Sequence, residues 1–509
     1  MTTALTARIL LALTAACAVL PSAAHASYNG DSDTGFQHLD FVENERREAR
    51  ANRLSPEQEK LLADAAALKK HLRHPVAADQ PSPIAFEGDD LTYDESTGEF
   101  TAKGHVDIVQ LEARRFQGDY VEGNTRTGDV SVPDRAHVLQ LTQGMPRVTL
   151  DGYRINYNYQ KHTGSMEKAD GKVGAYYMTG KRFEFYPDKI VVYDGTQTKC
   201  GAKNPDYHLS AERAELYPGD HLVLHNVKFW LKNKVIYTKK EHEVDVAHPM
   251  QRNFPRAGYD SNDGAWVEQT FEQNVAPRVT AAEHIRVTAK RGWRSSYDLG
   301  WANAVGARAM VTYGIFEDGN SEWVKKMPSL LTDYSHRLGR SPITYRLFSE
   351  YGRWYGSGIH SNHWQYGVSL VHDTIPFHGF RLDLAAGYSI TRESHDHSRV
   401  QGMNVSAFLA KAFNDRFAAY VGGVYTKSSK ENALFSYDQE DYSRVLMSGL
   451  SYRIGERDRI AVGTKYAMEP HRWTDVDYYW FHDLHCSQII LRYRSKQNTW
   501  RIKWEFTPW

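Results

Sequence analysis

Residues 498–509 read NTWRIKWEFTPW. Between residues 500 and 506 the pattern alternates without a break: Trp500, Ile502, Trp504 and Phe506 fall on one side, Arg501, Lys503 and Glu505 on the other. A period of two marks a β-strand, and here one face is aromatic and the other charged. Two settings accept such a strand. A soluble sheet hides its apolar face in a core, whereas the wall of a membrane pore turns that face to lipid and the charged face to water.

The same texture extends back to about residue 247. In GFRLDLAAGYSIT (379–391), Phe380, Leu382, Leu384, Ala386, Tyr388 and Ile390 share one face, and Arg381, Asp383, Gly387 and Ser389 the other. In DRIAVGTKYA (458–467), Ile460, Val462 and Tyr466 oppose Arg459, Gly463 and Lys465. In SPITYRLFSEYG (341–352), Ile343, Tyr345, Leu347 and Tyr351 oppose Thr344, Arg346 and Glu350. Each segment runs to about ten residues, longer than the usual soluble strand and close to what crosses a bilayer at a tilt. About fifteen such segments fit between residues 265 and 506, and single-chain bacterial barrels use even numbers, so 14 or 16 strands are expected. Charged residues are costly toward lipid and must face the lumen. Trp and Tyr gather in GRWYGSG (352–358) and DVDYYWF (475–481), where interfacial aromatic belts are expected.

Upstream the period is different. FEGDDLTYDESTGEF (86–100) is echoed by FQGDYVEGNTRTGDV (116–130), so that Phe86, Gly88, Asp89, Thr97 and Gly98 recur as Phe116, Gly118, Asp119, Thr127 and Gly128. Weaker echoes follow at KHTGSMEKADGKV (161–173), RFEFYPDKIVVYDG (182–195) and AELYPGDHLVLHNV (214–227). Each unit reads as strand, tight turn, strand, and repetition at this period implies stacked β layers that bury one another's apolar faces.

The N-terminus reads as a secretory signal over residues 1–26: Arg8, then an apolar run over residues 9–20, then Ala24-His25-Ala26 as the cleavage site. Cys17 would suit a lipoprotein signal, but Thr14 stands where that motif prefers an aliphatic residue. Residues 27–83 form a polar arm and linker. Ser55-Pro56-Glu57-Gln58 is a helix start, and Leu61, Leu62, Ala65 and Leu68 then make one stripe, so a short helix on a flexible arm is expected. The charge run ENERREAR (43–50) reads as a solvated helix face, and Pro75, Pro81 and Pro83 as a linker. Export leaves Cys200 and Cys486 in the mature chain, which suggests one long-range disulfide; two unpaired buried thiols is the other possibility.

Composition excludes some classes. Lys+Arg and Asp+Glu both number 62 in the 509 residues, so no charge imbalance points to nucleic acid. Aromatic residues are 12 %, with 31 Tyr and 12 Trp, which favours β structure or a membrane interface. A mean hydropathy of −0.59 is wrong for a helical membrane protein but compatible with a barrel, half of whose strand residues face water. No G-x-S-x-G, H-E-x-x-H, P-loop or strand–helix GxGxxG is present, and no cofactor is expected; that the chain is not an enzyme is what the family resemblance described below implies. ESHDHS (393–398) sets His395, Asp396 and His397 side by side, but neighbours on a strand or loop point apart, so a surface loop is expected rather than a metal site.

Taken together these regions resemble the LptD (OstA) family of outer-membrane lipopolysaccharide-assembly proteins. The carriers are IAFEGDDLTYDESTGEFTAKGHVDIVQ (84–110), similar to the family's N-terminal β-jellyroll, and TKCGAKNPDYHLSAERAELYPGDHLVLHNVKFWLKNKVIYTKK (198–240), similar to its cysteine-containing strands before the barrel. PMQRNFPRAGYDSNDGAW (249–266) looks like the entry to the barrel, and KKMPSLLTDYSHRLGRSPITYRLFSEYGRWY (325–355) like a central part of it. The resemblance covers residues 84–509. Two departures stand out: the best-known members carry more cysteines, and their barrel is much larger.

The resemblance implies an all-β chain, with a periplasmic jellyroll (84–246) followed by a transmembrane antiparallel barrel of 14–16 strands (247–509) in the outer membrane. It implies a translocon that receives lipopolysaccharide from a periplasmic LptA-like jellyroll protein and releases it through a lateral gate between the first and last barrel strands. The gate would lie between a first strand near 265–275 and a last strand carrying Trp500, Ile502, Trp504 and Phe506, with Pro249 and Pro255 just upstream. Cys200 would bond to Cys486, tying the jellyroll's end to the barrel's last hairpin. Phe506 and Trp509 resemble the aromatic ending read by the barrel-assembly machinery, and an LptE-like lipoprotein plug is a possible partner that the smaller barrel puts in doubt. Two other readings compete: a general outer-membrane porin or channel with a periplasmic β domain, and an outer-membrane lipid hydrolase, which would need a Ser/His pair on adjacent barrel strands.

Overall fold

The computed structural model describes residues 34–71, 84–111, 113–142, 147–174, 176–201, 204–217, 220–245, 255–318, 322–429, 433–437 and 442–506. The segment read as a signal sequence (residues 1–26), Pro75, Pro81, Pro83, Pro249 and Trp509 lie outside them. Two compact units result. One holds residues 45–245 with 484–488 and 506; the other holds 34–44, 255–483 and 489–505.

The first unit is a single 12-stranded antiparallel sheet that follows chain order from Ile84–Glu87 to Lys234–Asp245. Ile84–Glu87 and Asp90–Tyr93 share one partner, Glu99–Gln110. Consecutive strands pair antiparallel here, so the β unit expected over 84–246 is present as a sheet of 12 strands, while the jellyroll expected of it is not shown. The repeat in the sequence is the repeat of the turns between those strands. Asp94 Oδ1 accepts from Ser96 N, Asn124 Oδ1 from Arg126 N, and Asn158 Oδ1 from Gln160 N, at 2.8, 2.8 and 3.1 Å. Gly98 (φ 79°) and Gly128 (φ 80°) close the first two turns in a left-handed conformation that a side chain would strain. The turns also stack, since Thr125 N donates to Gly98 O and Tyr159 N to Gly128 O at 2.8 and 2.9 Å.

Near mid-strand the ladder breaks again and again. Register slips between Lys103 and Val106, Gly118 and Glu122, and Val132 and Arg135, and His105, Arg154, Lys168, Asp194 and Asn226 take positive φ. Bulges bend strands, and bulges aligned across neighbours crease a sheet. Residues from both sides of the crease accordingly share one core: Ala102 with Ile108, Val132 with Ala136, Leu150 with Ile155, Met178 with Phe183. Burying each large apolar side chain stabilises by about 1.5–3 kcal/mol.

The helix Pro56–His71 covers part of this sheet and is not a free arm, which corrects the expectation. Ser55 and Gln58 cap it reciprocally, Ser55 N donating to Gln58 Oε1 at 3.1 Å and Gln58 N to Ser55 Oγ at 3.3 Å. Leu61 and Ala65 bury against Val109, Ala113 and Leu139, and Asp64 pairs with the buried Arg115. Leu62, on the same predicted stripe, stays exposed.

The second unit is a closed barrel running from Arg256–Asp260 to Thr499–Phe506. Gly292–Trp293 and Ser296–Ala302 share the partner Val279–Thr288, and Ile359–His372 and Ile375–Phe377 share Phe380–Glu393, so the wall has 16 strands. No helix among the described residues is long and apolar enough to cross a membrane. The strand expected to come first, around 265–275, is the second: Arg256–Asp260, immediately after Pro255, precedes it and closes the ring. A five-residue strand is too short for its alternation to stand out from a linker.

Cys200 and Cys486 are disulfide-bonded across 286 residues, with a Cα–Cα distance of 5.2 Å inside the usual range. Segment 484–488 joins the strands Arg472–Asp483 and Ser487–Arg494 in the chain, yet packs with the sheet unit, as does Phe506, whose ring meets Tyr207 edge-on at 5.1 Å.

Candidate functional site: the barrel lumen and its closing seam

Alternation along the barrel strands separates two chemistries. Outward positions are apolar: Leu347, Tyr351, Tyr388, Val421, Leu450, Ile460, Trp500 and Ile502 are exposed on the outer surface. Their inward neighbours are ionic and paired across strands. Arg286 reaches Asp263 at 2.7 Å and Glu268 at 3.2 Å; Lys326 meets Glu350 at 2.7 Å; Arg492 meets Asp477 at 2.5 Å; Arg494 meets Asp475 at 2.8 Å. An apolar exterior around a polar interior is the inverse of a soluble core, and it places this unit in a bilayer. The aromatic clusters obey the same rule and so divide. Tyr478 and Trp480 face out, as belt residues would, but Trp354 and Tyr479 turn inward and are buried.

The lumen is obstructed at two places. In one sector the wall is apolar where elsewhere it is charged: Phe408, Ala410, Tyr420, Met447 and Tyr479 point inward and enclose Phe36 and Leu39. Residues 34–43 sit there. Tyr420 Oη donates to Thr34 O at 2.8 Å, His38 Nδ1 lies 3.3 Å from Asp383, and Glu43 lies 2.5 Å from Arg453. Phe36 stacks on Tyr479 at 4.9 Å, and the Arg381 guanidinium lies 4.4 Å from the Phe41 ring centre. Gly35 (φ 78°) fits because a Cβ there would come within 3.0 Å of Phe408. The ENERREAR run thus begins inside the barrel, and its first residue is a lumen ion-pair partner rather than a solvated charge. The second obstruction is residues 433–437, whose Phe435 and Tyr437 bury against Trp354 and Val324. Ser436 Oγ donates to Glu322 there at 3.0 Å, and Lys326 Nζ sits 4.9 Å from the Trp354 ring. Neither insertion had a signal in the sequence beyond scattered aromatics in polar segments.

The seam is the second feature. Among the described residues the first strand pairs with the last only over 257–260 and 501–504, with Ser261 N donating to Trp500 O at 3.1 Å beyond them. By contrast Ile343–Gly356 pairs with Ile359–His372 along its whole length. Of the residues expected at a gate, Trp500 and Ile502 face outward on the seam strand, Trp504 is half-buried, and Phe506 leaves the wall to pack with the sheet unit.

One inward row carries a different chemistry. Thr270 Oγ1 lies 3.0 Å from His284 Nδ1, and His284 Nε2 lies 2.9 Å from Asp298 Oδ2, on three adjacent strands. A hydroxyl, an imidazole and a carboxylate in that order is the arrangement that activates a nucleophile. The loop 394–398 around His395, Asp396 and His397 is exposed, and no group of His, Cys, Asp and Glu suited to a metal occurs among the described residues.

Two clefts open on the sheet unit. One of about 820 Å³ is lined by Phe100, Val130, Tyr157 and Phe185 together with Glu122, Asp129, Arg182 and Glu184. The other, about 310 Å³, is lined chiefly by Phe116, Val138, Leu139, Val148, Ile155 and Ile190.

No protein family matches this chain, and no curated protein does. Solved structures match at low similarity. A mutant of the Rh. blastica porin aligns at 11 % identity and a TM-score of 0.30, over 50 % of this chain and 97 % of its own. Salmonella typhi OmpF in complex with daunomycin aligns at 11 % identity and a TM-score of 0.30, over 50 % of this chain and 96 % of its own. What defines the class is the barrel's own geometry: an outer-membrane type of closed, even-stranded, antiparallel wall with a polar lumen.

Proposed function

We propose that the barrel is a passage through the outer membrane and that its cargo is lipopolysaccharide, inserted sideways through the seam between the first and last strands. The observation that carries this reading is the seam itself. The wall is laddered over 14 residues between Ile343–Gly356 and Ile359–His372 but is closed at the seam over four, next to a proline that cannot donate to the ladder. A lipid with a sugar head needs both a polar route and an opening toward the acyl core. The apolar-lined sheet unit suits the acyl chains, because water rejects them and its interior does not. The periplasmic bridge protein and the barrel-assembly machinery belong to this proposal as partners. Depletion of the protein tests it: lipopolysaccharide should disappear from the cell surface and accumulate inward, and unchanged surface levels would defeat it.

A general channel is the second reading, and the barrel taken alone favours it, since a 16-stranded ring with an ionic lumen is wide enough to pass water and solutes. Solute-dependent swelling of liposomes carrying the purified protein would support it. The Thr270–His284–Asp298 row gives the hydrolase reading its one foothold, and release of acyl chains from purified lipopolysaccharide, lost in Thr270→Val, would establish it.

A further inference from the structure

The wall of the lumen is built to receive residues 34–43. Many of its inward positions are Asp, Glu, Arg, Lys, Ser and Thr; in the sector formed by Phe408, Tyr420, Met447, Ala461 and Tyr479 they are apolar, and that sector is where Phe36 and Leu39 bury. Around this apolar nose the anchors are polar: the Tyr420–Thr34 hydrogen bond, His38 with Asp383, and Glu43 with Arg453 and, at 3.8 Å, Arg459. Water can replace each polar anchor when the segment leaves. The barrel's own backbone ladder does not use the segment at all, since every strand is paired with its two neighbours around the ring.

We infer that residues 34–43 are a plug that the chain carries in cis, and that they must withdraw from the lumen before the barrel can pass anything. The inference rests on the barrel being a passage, but not on what it passes. It assigns to this chain's own N-terminal segment the place in the lumen that a separate plug protein would need. The seal has a hydrophobic part, Phe36 and Leu39, and an electrostatic part, Glu43 and His38, so that charge at the wall sets how readily it opens.

Ion conductance of the purified full-length protein in planar lipid bilayers tests this. Wild type should stay closed apart from brief openings. Gly463→Leu should open it from the wall side, because a Cβ at Gly463 would lie 2.5 Å from Thr34 Oγ1 and no plug residue is altered. Phe36→Asp should open it from the plug side. Both should raise steady conductance at least about tenfold, short of an unobstructed 16-stranded pore because residues 433–437 stay in place. A Thr34→Cys, Gly463→Cys pair should instead abolish even the brief openings until reductant is added, with wild type in reductant as control. Heat-modifiable migration on gels confirms that each variant has a folded barrel. Steady large conductance from wild type, or folded variants no more conductive than wild type, would overturn the plug. If the variants conduct while locking the plug in cells leaves surface lipopolysaccharide unchanged, the plug stands and the lipopolysaccharide cargo falls.

Discussion

The sheet unit and the barrel are made of the same kind of strand turned opposite ways. In the sheet, alternate residues such as Val106, Ile108, Leu150 and Phe183 face a shared interior, and the polar ones face water. In the barrel, Leu347, Val421 and Ile460 face out while Glu350, Lys465 and Asp477 face in. Both patterns have period two. The difference is that the sheet is creased by bulges until its apolar face meets itself, whereas barrel strands such as Ile343–Gly356 and Ile359–His372 stay in register for 14 residues and the wall closes into a ring. A closed ring of that size cannot fill its interior with side chains, so water takes the inside and the apolar face must find lipid. Alternation therefore says which residues share a face, and curvature says what that face meets.

The largest effect should come from the disulfide, because both of its residues pack in the sheet unit while one belongs to a barrel turn in the chain. Cys200→Ser or Cys486→Ser removes a closed loop worth about 5 kcal/mol by loop entropy. Proteolysis should cut the sheet residues first, while the barrel keeps its heat-modifiable migration; loss of both together would mean the units are not separable.

Next, Phe183→Ala should destabilise the sheet by about 3–5 kcal/mol, since the ring is fully buried. The matching truncation on the barrel's outer face, Leu347→Ala, should cost far less in urea unfolding from detergent. Equal costs would mean that Leu347 is covered by protein. Third, Val421→Arg puts a charge on the outer wall near mid-strand and should cost about 2–4 kcal/mol in lipid, measured by folding into vesicles. A negligible cost would place that surface outside the bilayer.

The smallest effect is a pH dependence in the sheet. The Lys189 ammonium, 2.7 Å away, holds the Glu215 carboxyl below its ordinary value of 4.5. A carboxylate held down in the fold stabilises at pH above its unfolded value and loses that contribution as pH falls through the folded one. The stability gap between wild type and Glu215→Gln should thus be constant from neutrality to about pH 5 and shrink below it.

Much of this architecture was legible in the residues. Thr97 and Gly98, recurring as Thr127 and Gly128, announced repeated tight turns, because a left-handed glycine is a local demand that few residue types meet. Ser55 and Gln58 announced their helix for the same reason, and Cys200 with Cys486 announced a bond because they are the two cysteines beyond the predicted signal segment. The partition of Arg459 and Lys465 from Ile460 and Val462 was likewise fixed by a strand's two-residue period. Tertiary structure alone decided the rest. It creased the first sheet so that its apolar face meets itself, set Arg256–Asp260 as the short first strand, turned Trp354 and Tyr479 inward, and carried residues 34–43 into the lumen. Each of these depends on which distant segment completes a surface. A period, a cap or a turn is a property of a few consecutive residues, but what a face is buried against is a property of the closed ring.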